Sequence, residues 1–160
     1  MVQPIPEGFN TASAYLVVPD SRAAIEFYGR AFGAEGSVCM PGPGGHGTLH
    51  AEMRLGSSTV MLTDVNPQWG KQGPKELGGS PVSIHLYVED ADAVFAQAVA
   101  AGCEVKAPLM DMFWGDRFGA VEDPFGHGWS IATRKEDLSP AEMEQRQQAW
   151  FEQMAQSGGA

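Results

Sequence analysis

The chain has 160 residues, 43% hydrophobic and 19% charged, proportions that fit one compact domain with a true core. Twenty acidic side chains against ten basic ones leave a formal charge of −10. That charge repels phosphate backbones and no Lys/Arg stripe offsets it, which argues against nucleic-acid binding. No apolar run approaches the roughly 18 residues that a membrane-spanning helix needs. Met1-Val2-Gln3-Pro4-Ile5-Pro6-Glu7 lacks the basic cluster and apolar stretch of a secretory signal, so a cytoplasmic location is expected. Cys39 and Cys103 are too few for a disulfide framework and too isolated for a thiolate metal site. The 20 glycines and 11 prolines favour tight turns between short strands over a helical bundle.

In chain order, an apolar strand ending at Val18 meets Asp20, a residue suited to cap a helix by accepting its orphan N–H groups. Ala24, Ile25, Tyr28 and Phe32 mark that helix's buried stripe, and Gly33 follows where a left-handed C-cap is wanted. Strands are then expected near 36–40, 48–55 and 58–64. A loop-rich linker at 65–80 carries Asn66-Pro67, Gly73-Pro74 and Gly78-Gly79. The pattern then repeats. A shift of 70 residues places Ser83, Leu86, Val88, Asp90, Ala93 and Ala101 on Ser13, Leu16, Val18, Asp20, Ala23 and Ala31. A second strand at 82–88 runs into Asp90. Val94, Ala98 and Ala101 mark the second helix, Gly102 stops it, and strands follow near 104–108, 117–122 and 128–133. Last, Ser139-Pro140-Ala141-Glu142 supplies an N-cap, a Pro at N1 and a capping-box Glu for a helix at 139–155. Its apolar stripe is Met143, Trp150, Phe151 and Met154, suited either to its own domain or to a subunit interface.

The expected fold class is therefore α+β: tandem β-α-β-β-β modules at about 10–64 and 81–135, one domain over 10–135, and a C-terminal helix. Strand alternation sorts the side chains. Leu49, Ala51, Met53 and Leu55 oppose His50, Glu52 and Arg54, while Val82, Ile84, Leu86 and Val88 oppose Ser83, His85 and Tyr87. Helices take the continuous apolar faces. Two sheets curled towards each other then bring His50, Glu52, His85 and Tyr87 into one cavity.

Val18-Pro19-Asp20 running to Ile25-Glu26-Phe27-Tyr28, with Glu122-Asp123-Pro124-Phe125-Gly126-His127, resembles the vicinal oxygen chelate superfamily of glyoxalase I, bleomycin- and fosfomycin-resistance proteins and extradiol dioxygenases. Met112-Phe113-Trp114-Gly115-Asp116-Arg117-Phe118-Gly119 and Gly128-Trp129-Ser130-Ile131 are similar to its PhnB-like, glyoxalase-related branch. The resemblance spans about residues 10–135 and implies a homodimer. Members that use a divalent ion take His and Glu or Gln ligands from the first and last strand of each module. Those positions fall here on Ser13, Leu62 (with Asp64 two residues on), Ser83 and Ser130. Three hydroxyls and an alkyl group do not suit Zn²⁺, Ni²⁺ or Mn²⁺, so no metal is expected at the usual site and no cofactor is assigned.

Two functions stay open. One is a binding module that holds a small organic molecule, with Tyr15, Tyr87 and Trp114 as aromatic walls and Arg117 receiving an anionic group. The other is an enzyme, a lyase, isomerase or dioxygenase, using His85 with Glu52 and His50 for acid–base chemistry or a displaced divalent metal among His85, His50, Glu52 and Asp64.

Overall fold

The computed structural model of the chain describes residues 2–157. In the first module β1 (Tyr15–Val18) lies parallel to β4 (Ser58–Asp64). Antiparallel neighbours β3 (Thr48–Leu55) and β2 (Glu35–Pro41) complete the order β1-β4-β3-β2. The second module repeats this with β5 (Ser83–Tyr87), β6 (Glu104–Asp111), β7 (Asp116–Glu122) and β8 (Gly128–Arg134), ordered β5-β8-β7-β6. The fold is thus α+β, with two four-stranded curved sheets built from βαβββ modules and a C-terminal helix. β6 runs past Pro108, where the sequence suggested a stop. It is an edge strand with register breaks between Val105 and Met110, which is where a strand tolerates a residue without an N–H.

Helix α1 (Ser21–Phe32) starts where Asp20 accepts from Arg22 N at 2.9 Å and Ala23 N at 3.1 Å, and it stops at Gly33 with φ 72°. Its buried face is wider than the sequence suggested, with Phe27 and Ala31 joining Ala24 and Tyr28. The linker is more ordered than a loop. It contains a 3-10 turn (Pro67–Trp69) and a one-turn helix, α2 (Pro74–Leu77), whose cap closes through Gly73 N donating to Glu76 at 2.9 Å. Gly73 lies so close to β1 that a Cβ there would meet Val17 O at 2.9 Å. Helix α3 (Ala91–Ala101) is capped by Asp90, which accepts from Ala93 N at 3.0 Å. It packs directly on β7 because Gly119 leaves room: a Cβ there would lie 2.7 Å from Phe95.

One core joins the inner faces of both sheets and helices α1 and α3, which also pack on each other. Met53, Leu62 and Ile131 are fully buried in it, each contributing about 1.5–3 kcal/mol relative to exposure. At the centre Asp123, 4% exposed, accepts from Tyr28 OH at 2.7 Å, Trp129 Nε1 at 2.8 Å, Phe125 N at 2.9 Å and His127 N at 3.0 Å. The first module's helix is thereby tied to the second module's β7–β8 turn. Burial, and then the Asp123 charge, push the Tyr28 phenol above its ordinary range. His127 adds a second tie, donating from Nε2 to Val17 O at 3.0 Å.

Helix α4 (Pro140–Ser157) has the expected capping box. Ser139 N and Oγ donate to Glu142 at 2.8 and 2.6 Å. It is held to the second module by Arg146 on Glu136, at 3.0 and 2.6 Å, and by Trp150 against Phe113 with ring centres 5.5 Å apart. Met143 and Trp150 are half-buried, whereas Phe151 and Met154 remain exposed.

Candidate functional site

Each sheet turns one face to the core and leaves the other open. On the first sheet, alternation along β1 and β3 brings Tyr15, His50 and Glu52 together. Tyr15 OH lies 3.3 Å from His50 Nδ1, and His50 Nε2 lies 3.0 Å from Glu52 Oε1. With Glu52 ionised and His50 neutral, Nε2 donates to the carboxylate and Nδ1 accepts from the phenol. The result is a carboxylate–imidazole–phenol series, an arrangement suited to moving a proton.

On the second sheet, β5, β7 and β8 bring together His85, Tyr87, Asp116, Phe118 and Ser130. His85 Nδ1 is 2.7 Å from Ser130 Oγ, and its ring meets Tyr87 edge-on at 4.6 Å and stacks on Phe118 at 6.1 Å. Trp114 continues the strip, its ring 5.7 Å from Phe118. Asp116 gathers the polar ends: Tyr87 OH donates to its Oδ2 at 2.8 Å and Trp114 Nε1 at 3.1 Å. The hydrogen bond to Asp116, with some desolvation and the carboxylate's charge, raises the Tyr87 phenol above its usual range, and Arg134 partly opposes the shift. Tyr87, Trp114, Asp116 and Arg134 line a pocket of about 460 Å³, walled on one side by Met143 of α4.

Four sequence expectations need correction. His50 and Glu52 do not share a cavity with His85 and Tyr87 inside one chain. The two pairs lie on the open faces of different sheets, each turned away from the common core, because both helices lie against the inner faces. Arg117 does not face Tyr87. It is one residue out of phase with Asp116 and Phe118, on the α3 side, where it donates to Asp92 at 3.0 and 2.7 Å and lies 3.6 Å from Asp111. Leu62 is fully buried against the core. Met61, paired across the strands with Tyr15 and Glu52, takes the open-face position. Leu49 and Val82 were expected under helices but are 43% and 68% exposed, since they lie at strand ends beyond the helices' cover.

The resemblance puts metal ligands at Ser13, Leu62, Ser83 and Ser130, and strand pairing replaces Leu62 by Met61 on the open face. Three hydroxyls and a thioether do not fit a divalent ion that wants imidazole or carboxylate. Among the described residues no three His, Cys, Asp or Glu side chains gather in a group able to hold one. The residues that sequence reasoning missed are Asp116, Phe118 and Met143. The signal for the first two was alternation: with Val121 in the core, Arg117 and Gly119 fall on the inner face and Asp116 and Phe118 on the open one.

The chain's likeness to known proteins matches this geometry. The family model described as Glyoxalase/Bleomycin resistance protein/Dioxygenase superfamily matches residues 9–131. The Mycobacterium tuberculosis protein Rv0887c is 46% identical over 135 residues, covering 82% of this chain and 79% of that one. The structure of the At5g48480 gene product of Arabidopsis thaliana superimposes with a TM-score of 0.61 at 30% identity, covering 78% of this chain and 98% of that one. The PhnB protein of Bacillus cereus shares the fold with a TM-score of 0.60 at 22% identity, over 78% of this chain and 99% of that one. A duplicated βαβββ scaffold, the Asp-Pro-Phe-Gly turn at its seam and a family match over most of its length place this chain in the glyoxalase/bleomycin resistance/dioxygenase superfamily.

Proposed function

We propose that this protein binds a small organic molecule on the open face of its second sheet, in the pocket between Tyr87, Trp114, Asp116 and α4, without a metal or other cofactor. The observation that carries the reading is the aromatic strip from His85 through Tyr87 and Phe118 to Trp114, with Tyr87 65% exposed. An aromatic surface of that extent on a sheet face is a platform for a planar or apolar ligand. The donor chemistry of Ser13, Met61, Ser83 and Ser130 favours metal-independent binding.

The protein acts in this reading as a cytoplasmic homodimer. Two sheet faces are open, and exposed apolar side chains cluster at the seam between modules: Tyr15, Leu77 and Val82 are 44%, 64% and 68% exposed. A second copy laid over these faces would shield them and close the site. Among the described residues no helix is long and apolar enough to cross a membrane.

The test combines light scattering, metal analysis and calorimetry with a panel of planar aromatic compounds. A dimer that binds members of the panel equally well with and without chelator is expected, and Tyr87→Ala should weaken binding about tenfold or more. Binding that vanishes with chelator and returns with one divalent ion would overturn the metal-independent reading.

An enzymatic reading is favoured by one observation, the Tyr15–His50–Glu52 series. In it Glu52 and His50 act together on the first sheet, and His85 serves a separate site beside Ser130. Turnover lost in both His50→Ala and Glu52→Gln, with ligand binding on the second sheet retained, would establish it.

A further inference from the structure

We infer that the pocket beside α4 selects a protonated amine carried on a planar aromatic body. The inference rests on the binding reading above and names the ligand class for that same site.

Asp116 is 5% exposed, yet both of its hydrogen-bond donors meet one oxygen, Oδ2. Among the described residues no buried side-chain nitrogen or oxygen lacks a partner. Oδ1, which has none, is therefore accessible, and Asp116 lines the pocket. A carboxylate held on one oxygen by a phenol and an indole, and open on the other, is a fixed acceptor for a charged donor. Tyr87 and Trp114 are its two donors. Their ring faces carry negative electrostatic potential and attract cations, and Phe118 and His85 extend the surface for the aromatic body.

The one cation in the pocket wall does not reverse this balance. Arg134 is engaged by the Asp137 carboxylate and by Glu136 O, and Glu136 is itself paired with Arg146. With those pairs neutral, the unmatched charge is that of Asp116. The chain's −10 charge opposes an anionic ligand from a distance as well. The volume of about 460 Å³ suits a bicyclic ring with a short amine arm, and Met143 offers a thioether against its edge.

The experiment titrates the full chain by calorimetry and ligand-observed NMR with three probes of one shape: tryptamine, 3-ethylindole and indole-3-propionate. Tryptamine should bind about tenfold more tightly than 3-ethylindole, and indole-3-propionate more weakly than either. Asp116→Asn keeps an oxygen for Tyr87 and Trp114 but removes the charge, so tryptamine should lose its advantage over 3-ethylindole. Met143→Lys, on the half-buried face of α4, places a cation in the wall without touching the core and should reverse the order of tryptamine and indole-3-propionate. Equal affinity for all three, or preference for the anion, overturns the amine inference and leaves the pocket reading standing. No binding of any probe by either measurement overturns both.

Discussion

Asp64 in the first module and Thr133 in the second hold the same place, the last strand's end opposite β1 or β5, and both fasten the start of their own module's helix. Asp64 accepts from Ser21 N and Oγ at 2.7 Å each and from Thr48 N at 2.8 Å. Thr133 Oγ1 accepts from Ala91 N at 2.8 Å and donates to Val88 O at 2.8 Å. The second module's buried carboxylates lie elsewhere: Asp123 in the seam and Asp116 on the open face. The turns differ in step. The first module joins β3 to β4 through the tight Gly56-Ser57 turn, whereas the second uses Asp123-Pro124-Phe125-Gly126, which reaches across to α1. A duplicated scaffold can thus keep helix anchoring with interchangeable chemistry and free one copy's acidic groups for assembly and for the site.

The sharpest way to break this comparison is Asp123→Ala. It strands the Tyr28 hydroxyl and Trp129 indole in the core, and two buried donors without partners cost together about 4 kcal/mol. Urea unfolding should show that loss, and Tyr28→Phe should show less than half of it. A loss below about 1 kcal/mol would mean that the seam does not depend on this carboxylate.

The next test compares the two anchors. Asp64→Ala should cost about 2 kcal/mol and Thr133→Ala about 1 kcal/mol, because a carboxylate with three donors outweighs a neutral hydroxyl with one. Equal losses would show that the helix starts do not sense the difference in charge.

Alkali gives an effect that is absent at neutral pH and grows only above pH 9. Burial first, and the Asp123 charge second, push the Cys103 thiol up to about 12 from an ordinary 9.0. Tyr28 shifts in the same direction. The native state keeps these protons while the unfolded chain gives them up. Their stabilisation is therefore complete below pH 9 and lost as pH climbs towards 12, by up to about 1.4 kcal/mol per unit for each group. Urea midpoints measured from pH 7 to 10 should fall at the alkaline end, and Cys103→Ala should flatten the decline. A thiol reagent should accordingly modify exposed Cys39 in the native protein and reach Cys103 only after unfolding.

Much of the fold was legible because local signals carry it. Asp20, Asp90 and Ser139 are caps whose chemistry acts within three or four residues, and Gly33 ends α1 for the same local reason. Strand alternation placed Ala51 and Met53 inward and His50 and Glu52 outward. The site was less legible. Arg117 was expected in the site from its place beside the Met112-Phe113-Trp114 segment, but it shares the inner face with buried Val121, and the adjacent Asp116 takes the open one. Met143 is far from Tyr87 in sequence, and only the path of α4 brings it to the pocket.

From the sequence alone came the duplication, the order of strands and helices, the caps and the excess of acid, all of which depend on neighbours along the chain or on composition. Tertiary structure alone decided that the helices pack against each other between the modules and turn the two polar faces apart. It also decided that Asp123 gathers four donors from three directions. Such outcomes depend on how two amphipathic sheets share one core, and packing between distant segments leaves no periodic mark in the sequence.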